Sequence, residues 1–129
     1  MNDSIIIYES PYSVLETSSR IKEILEKKSI KLFALIDHSG EAKANGLDLN
    51  EEKLLVFGDP KVGTYLMQEN PEIGLELPLK ILIWEEKGKT KIAHKNINAL
   101  KIRYNIITHA KILENMSLGL AQLITNSLK

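Results

Sequence analysis

The sequence predicts an α+β fold in which an antiparallel sheet of four to five strands packs against two longer helices. Two observations carry this prediction: short runs of β-branched and aromatic residues, and two longer segments whose apolar residues recur at helical spacing. Most of the runs stand between the two long helical segments, which favours an antiparallel sheet. With 129 residues, 43% of them apolar, the chain has the size and composition of a single domain spanning residues 1–129.

The N-terminal part of the chain contains two predicted strands with one long helix between them. The isoleucine-rich run at residues 4–9 predicts a buried strand. Ser13 and Glu16 have the capping-box spacing of a helix start. The next apolar run, at residues 30–36, predicts a strand covered on both faces because few polar residues interrupt it. The apolar stripe of the intervening helix comprises Val14, Ile21 and Leu25.

The remaining elements follow a polar segment. Residues 37–52 predict a long loop with a short helix at 41–44, because glycine, asparagine and acidic residues dominate there. After this loop we expect a strand at 53–57, a helix at 61–69, strands at 77–84 and 90–94 joined by a hairpin turn, a short helix at 97–104 and a long helix at 107–128. Glu72, Glu76, Glu85 and Glu86, which flank the strand at 77–84, are expected on the solvated surface.

Composition restricts the classes of function. Lysine plus arginine equals aspartate plus glutamate, 17 of each, so the chain has no net positive charge to attract nucleic acid or an anionic membrane. No apolar run approaches the ~20 residues of a membrane-spanning helix. The absence of cysteine excludes thiol catalysis and favours a cytoplasmic setting. We therefore expect a soluble cytoplasmic protein that binds neither nucleic acid nor membrane, and three scattered histidines predict no metal site.

Special backbone residues concentrate between Lys53 and Glu86, and within this stretch the turn at residues 58–64, GDPKVGT, precedes a predicted helix. Glycines, a lysine and a helix start are features of phosphate-binding loops. The Walker spacing is not met, because Lys61 precedes the second glycine instead of following it. A looser anion or small-ligand site and a purely structural turn are the two interpretations that remain.

His38 is the second candidate for chemistry. It follows a predicted strand, next to Asp37 and three residues before Glu41. Histidine has an unperturbed pKa of ~6.5, which suits a general base or a metal ligand. A hydrogen-bonded structural histidine is the alternative for each of the three histidines, His94 and His109 included.

The ordered motifs of this chain resemble a known family. Its family-like segments are Ile36-Asp37-His38 with Ala42 and the following Gly46-Leu47-Asp48-Leu49, then LVFGDPKVGT at residues 55–64 with Met67, then LELPLK at residues 75–80. In this order they resemble domain-of-unknown-function family 302. The resemblance implies an α+β fold similar to the TATA-binding-protein-like β-α-β(4)-α arrangement, and it implies homodimers. Members often carry asparagine where this chain has Asp59, and an aromatic residue where it has His94.

Three hypotheses for function follow. The first is a domain that binds a small anionic ligand between the His38 loop and the turn at residues 58–64, with Lys61 and backbone N–H groups receiving the anion. The others are an enzyme with His38 as general base and a homodimeric structural or interaction protein. The resemblance provides no catalytic residue, and no cofactor is identified. The predicted ligand-binding residues are His38, Phe57, Gly58, Asp59, Pro60, Lys61, Gly63 and Thr64.

Overall fold

The computed structural model describes residues 4–129 of the chain. Its strands are β1 (Ile5–Ser10), β2 (Lys31–Asp37), β3 (Glu52–Gly58), β4 (Leu79–Glu86) and β5 (Lys89–Lys95). Its helices are α1 (Val14–Lys27), α2 (His38–Ala44), α3 (Pro60–Glu69), α4 (Ala99–Arg103) and α5 (Ala110–Ser127), with a 3-10 helix at Pro71–Glu76. The strands form one sheet in the order β1-β5-β4-β3-β2, and every neighbouring pair is antiparallel. The predicted α+β class and the antiparallel sheet are confirmed.

The core lies between the sheet and the two long helices. α1 packs against α5 and lies over β2, β3 and β4. The predicted stripe of α1 is buried as expected, since Val14, Ile21 and Leu25 are at most 3% exposed. These side chains join one apolar cluster with residues of α5 and of the three central strands. The main partners in that cluster are Leu113, Leu120, Leu123 and Ile124 of α5 and Leu55, Ile81, Ile83 and Ile92 of the sheet.

Short polar side chains fix where the helices begin. The Ser13 hydroxyl accepts a hydrogen bond from the Glu16 N–H at 3.0 Å, as the capping-box spacing predicts. The helix expected at residues 41–44 begins earlier, at His38, because the Asp37 carboxylate accepts the Gly40 N–H at 3.0 Å. The segment expected to be mostly loop is therefore irregular only from residue 45 to residue 51.

Two predictions of strand burial were wrong. β1 was expected to be buried and β2 to be covered on both faces, yet the pairing order puts both at the edges of the sheet. Ile7 of β1 is 54% exposed and Phe33 of β2 is 41% exposed. The reason is that the burial of a strand depends on its neighbours in space as well as on its own apolar content.

The face of the sheet opposite the helices carries a continuous row of apolar side chains. Strand register aligns one residue from each strand, and alternation along the strands points all of them away from the core. We call this set the apolar row; its members, in sheet order, are Ile7, Ala93, Leu82, Leu54 and Ile36. Ile7 and Ile36, at the two ends of the row, are 54% and 38% exposed.

His94 is a structural histidine on β5, facing β1. Its Nδ1 lies 2.7 Å from the Lys95 carbonyl oxygen, which can only accept, so Nδ1 carries the proton. Nε2 then accepts a hydrogen bond from the Tyr8 hydroxyl at 3.1 Å. Burial lowers the pKa of His94, which keeps the ring neutral. Both ring nitrogens are thus occupied within the fold.

The two-layer packing predicts different costs for two leucines of α1. We expect Leu25→Ala, at a position only 1% exposed, to lower the free energy of unfolding by roughly 2–5 kcal/mol because it leaves a cavity against α5 and the sheet. Leu15→Ala is the matched control, since Leu15 is 62% exposed, and its effect should stay within about 0.5 kcal/mol. Urea unfolding of both variants measures the difference. Equal losses would contradict the assignment of the buried stripe.

Candidate functional site

A cavity of about 390 Å³ lies where α3 and α5 meet one end of the sheet. This volume falls in the ~300–1,000 Å³ range of small-molecule sites. Its walls come from α3 and α5, from the ends of α1 and β3, and from the segments that lead into β2 and β4. The lining residues are Lys28, Ile30, Phe33, Phe57, Gly58, Asp59, Pro60, Val62, Gly63, Thr64, Met67, Leu77, Pro78, Leu79, Met116, Gly119, Leu120 and Leu123. Most of these side chains are apolar.

Two helix-interior glycines leave room in this cavity. Gly119 of α5 has nothing within 4 Å of the position where a Cβ would stand. A Cβ on Gly63 of α3 would make ordinary contacts, 3.6 Å from Leu77 and 3.8 Å from Met67. Neither glycine has the positive φ that favours glycine. Glycine in a helix costs about 0.5–1 kcal/mol relative to alanine. What these positions provide instead is the absence of a side chain in the cavity wall.

The turn at residues 58–64 forms one rim of the cavity, and its polar groups bond to one another. The Asp59 carboxylate caps α3 by accepting the Lys61 N–H at 2.9 Å. The Gly63 N–H bonds to the Asp59 carbonyl oxygen at 3.0 Å, and the Thr64 hydroxyl donates to the Pro60 carbonyl oxygen at 2.7 Å. Pro60 has no N–H. The helix start expected to receive an anion therefore already carries the carboxylate of Asp59.

The structure brings six of the eight predicted residues together at the cavity and separates the other two from it. Lys61 is exposed on α3 and is not among the lining residues. His38 lies at the far end of the sheet, as described next. The six predicted residues that line the cavity are Phe57, Gly58, Asp59, Pro60, Gly63 and Thr64.

Strand register separates His38 from the turn. Gly58 pairs with Lys31 at the start of β2, whereas His38 follows Asp37 at the end of that strand. The length of β2, at ~3.3 Å per residue, places the two about 20 Å apart. The structure thus does not bring His38 and the turn together as one site, because an antiparallel pair puts the residues that follow its two strands at opposite ends.

Asp37 does not orient His38 as a catalytic base would require. Its carboxylate accepts bonds from the Gly40 N–H and from the Ser39 hydroxyl, and it lies 3.5 Å from the Lys53 ammonium. These groups, the Gly40 N–H most of all, lower the pKa of Asp37. The His38 side chain is exposed. Asp37 therefore caps α2 instead of forming a dyad.

Glu69 fastens α3, one wall of the cavity, to the start of α5, another wall. One carboxylate oxygen of Glu69 accepts the N–H groups of Ile107 and Thr108 at 2.7 and 2.9 Å, and the other accepts the His109 N–H at 2.9 Å. The bond from Ile107 is the main cause that lowers the pKa of Glu69. The Tyr65 and His109 rings lie 5.6 Å apart beside this contact.

Glu76 was expected on the solvated surface, and this prediction was wrong. Its carboxylate accepts the Tyr104 hydroxyl at 2.6 Å and pairs with Lys95 at 3.1 Å, and its side chain is only 11% exposed. The hydroxyl of Tyr104 is the main cause that lowers the pKa of Glu76. This cluster ties α4 and β5 to the segment just before Leu77, which lines the cavity.

Several cavity residues could not be predicted from the sequence because they come from distant segments of the chain. Lys28, Phe33 and Met116 carry no local motif, and they meet only through the packing of α1, β2 and α5. Gly119 gave the one usable signal, as a glycine inside an otherwise strong helix pattern.

Neither metal ligation nor a membrane span has a candidate in the described part of the chain. Within residues 4–129 no three histidine, aspartate or glutamate side chains are grouped so that they could hold a metal ion. No helix in that range combines the length and apolar character that a membrane crossing requires.

Comparison with known proteins identifies the family. The family model described as "Domain of unknown function DUF302" matches residues 6–123. The crystal structure of an uncharacterised conserved DUF302 protein from Bacillus stearothermophilus superposes with a TM-score of 0.84, at 21% identity, over 97% of this chain and 98% of that one. At this identity the likeness concerns the fold alone.

Curated relatives share part of their length with this chain. The fluoride-specific ion channel FluC 1 of Brucella suis is 37% identical over 92 residues, which are 71% of this chain and 36% of the relative. The FluC 1 protein of Brucella abortus is also 37% identical over 92 residues, 34% of its length. The matched segment thus spans about a third of these relatives.

The Glu69 contact predicts a pH-dependent loss of stability. We expect Glu69→Gln to lower the midpoint of thermal unfolding at neutral pH, because the three N–H donors lose a charged acceptor. The pKa of Glu69 is lowered in the fold, so its stabilisation is complete above the unfolded pKa of ~4.3 and is lost as the pH falls through the folded pKa. The difference from the wild type should shrink accordingly in acid.

The exposed Glu26 of α1 provides the control. Glu26→Gln should leave the unfolding midpoint nearly unchanged at every pH. A constant difference between Glu69→Gln and the wild type across the acid range would contradict the assigned role of the carboxylate.

Proposed function

The chain belongs to the DUF302 family, and we propose that it is a binding domain for a small, largely apolar molecule. The observation that carries the proposal is the apolar cavity, which both Gly63 and Gly119 line. Both are helix-interior positions at which alanine would favour the helix more. A cavity wall with glycine at such positions is better suited to holding a ligand than to packing against other side chains.

The character of the walls supports this ligand class. Met67, Met116 and Phe33 give flexible or flat apolar contacts, and Met67 and Phe33 are 37% and 41% exposed. Thioether side chains adapt to ligands of varied shape. An exposed apolar surface inside a concave site is stabilised when a ligand removes it from water.

This proposal differs from the anionic ligand expected at Lys61. The Lys61 side chain lies outside the cavity, and the Asp59 carboxylate caps the helix start. A second anion at that start would be repelled by the carboxylate already there. In our proposal the ligand therefore packs against the apolar walls formed by α3 and α5.

A second function is favoured by the apolar row. We propose that two copies of the chain associate through their open sheet faces, because the row crosses all five strands and ends in exposed Ile7 and Ile36. Ala93 in the row is buried and Leu54 and Leu82 are half-buried, so the exposed apolar surface lies at the two ends of the row, and exposed apolar patches are typical of association sites. The cavity lies on the helical side of the sheet, so both functions are compatible in one molecule.

Location and transport are separate questions. A cytoplasmic location stays a prediction that rests on the absence of cysteine. Fluoride conduction is not proposed for this chain, because it spans only about a third of the channel proteins that carry that name.

Filling the space above Gly119 tests the binding proposal. We expect Gly119→Leu to abolish binding of the neutral fluorescent probe N-phenylnaphthylamine, because the new side chain enters the cavity. Stability should hold or rise, since removing a helix-interior glycine gains up to about 1 kcal/mol. Fluorescence titration measures binding, and thermal unfolding confirms that the variant is folded.

Gln122→Leu is the matched control, because it adds the same side chain on an exposed position of α5. It should bind the probe like the wild type. Unchanged binding by Gly119→Leu, or an equal loss in both variants, would overturn the assignment of the cavity.

Charges at the ends of the apolar row test the homodimer. We expect the double variant Ile7→Glu and Ile36→Glu to sediment as a monomer under conditions where the wild type sediments as a dimer, because burying two carboxylates in an interface is costly. The double variant Ile102→Glu and Ile107→Glu, at positions 86% and 73% exposed outside the sheet, is the control. It should sediment like the wild type. A monomeric wild type would refute this second proposal.

A further inference from the structure

We propose that the ligand of the cavity is a small amphipathic carboxylate, whose apolar body fills the cavity and whose acidic group lies at the mouth beside Lys28. This inference rests on the proposed binding function and specifies its ligand class. It follows from the two charged groups that line the cavity: the negative one is already hydrogen-bonded within the fold of residues 4–129, and the positive one is not.

The negative group at the mouth is already engaged. Among the lining residues only Lys28 and Asp59 carry ionisable side chains. The Asp59 carboxylate accepts the Lys61 N–H and sits at the positive end of α3, so the helix dipole offsets part of its charge. The attraction of this carboxylate for a cationic ligand is therefore reduced.

The positive group at the mouth has no such commitment. Lys28 is the C-cap residue of α1, and within residues 4–129 its ammonium group makes no ion pair or hydrogen bond. The neighbouring Lys27 forms an ion pair with Glu23 at 3.1 Å, and the Glu23 carboxylate is therefore paired with Lys27 and not with Lys28. An acidic ligand group would give Lys28 a charge-assisted partner.

A second lysine lies beside one wall of the cavity. The Lys31 ammonium lies 4.8 Å from the centre of the Phe33 ring, and Phe33 is a wall of the cavity. Together the two lysines outnumber the single capped carboxylate. Because the rest of the lining is apolar, this combination favours an acid with an apolar tail over either an inorganic anion or a neutral hydrocarbon.

A matched pair of ligands tests the inference. Decanoate and decanol have the same alkyl chain and differ in the charged head group, and both are titrated below the onset of micelles against bound N-phenylnaphthylamine. We expect the wild type to bind decanoate about fivefold more tightly than decanol. Lys28→Met, which keeps an apolar side chain of similar length, should reduce this ratio to about one by weakening the binding of decanoate.

Lys22→Met is the control, because Lys22 is an exposed lysine of the same helix outside the cavity. It should keep the wild-type ratio. Equal binding of decanoate and decanol by the wild type, or an unchanged ratio in Lys28→Met, overturns the inference while the binding function stands. Failure of decanoate to displace the bound probe overturns the inference alone, whereas failure of the wild type to bind the probe overturns the binding function as well.

Discussion

The packing of α1 and α5 on one face of the sheet is the interaction on which the rest of the structure depends. The helices bury Ile21, Leu113 and Ile124 completely against the central strands. Because α1 and α5 are the only long helices in the described chain, the helical layer ends before the edge of the sheet at β2, where Leu35 on the core side is still 36% exposed. Near the start of β2, α3 and α5 line the cavity. The opposite face of the sheet stays uncovered.

Features that depend on neighbouring residues were predictable from the sequence. The Ser13 cap, the buried stripe of α1 and the hairpin between β4 and β5 each follow from side chains within a few positions, and Gly88 takes the positive φ that the hairpin turn requires. Burial of the strands was not predictable in this way. β1 pairs with β5, 80 to 90 residues away, and nothing in the run Ile5–Ser10 tells whether a second strand lies on its other side.

The residues of the candidate site also divide into those that are close in sequence and those that only tertiary packing brings together. Six of its predicted residues lie in one continuous segment, so their grouping follows from chain connectivity. The position of His38 away from the turn could have been predicted on physical grounds. In an antiparallel pair the end of β2 lies beside the start of β3, so His38, which follows β2, and Gly58, which ends β3, had to lie at opposite ends. Lys28 and Met116 were beyond sequence reasoning, because only tertiary packing brings them to the cavity.

The role of Asp59 also explains a departure from the family pattern. The resemblance to the family implies that many members carry asparagine at this position. Both side chains offer an oxygen that accepts an N–H at a helix start, and their capping preferences are about equal. The bond from the Lys61 N–H to Asp59 is therefore the property that the position needs, and the negative charge is incidental to it. By capping α3, Asp59 helps to fix the helix that forms one wall of the cavity.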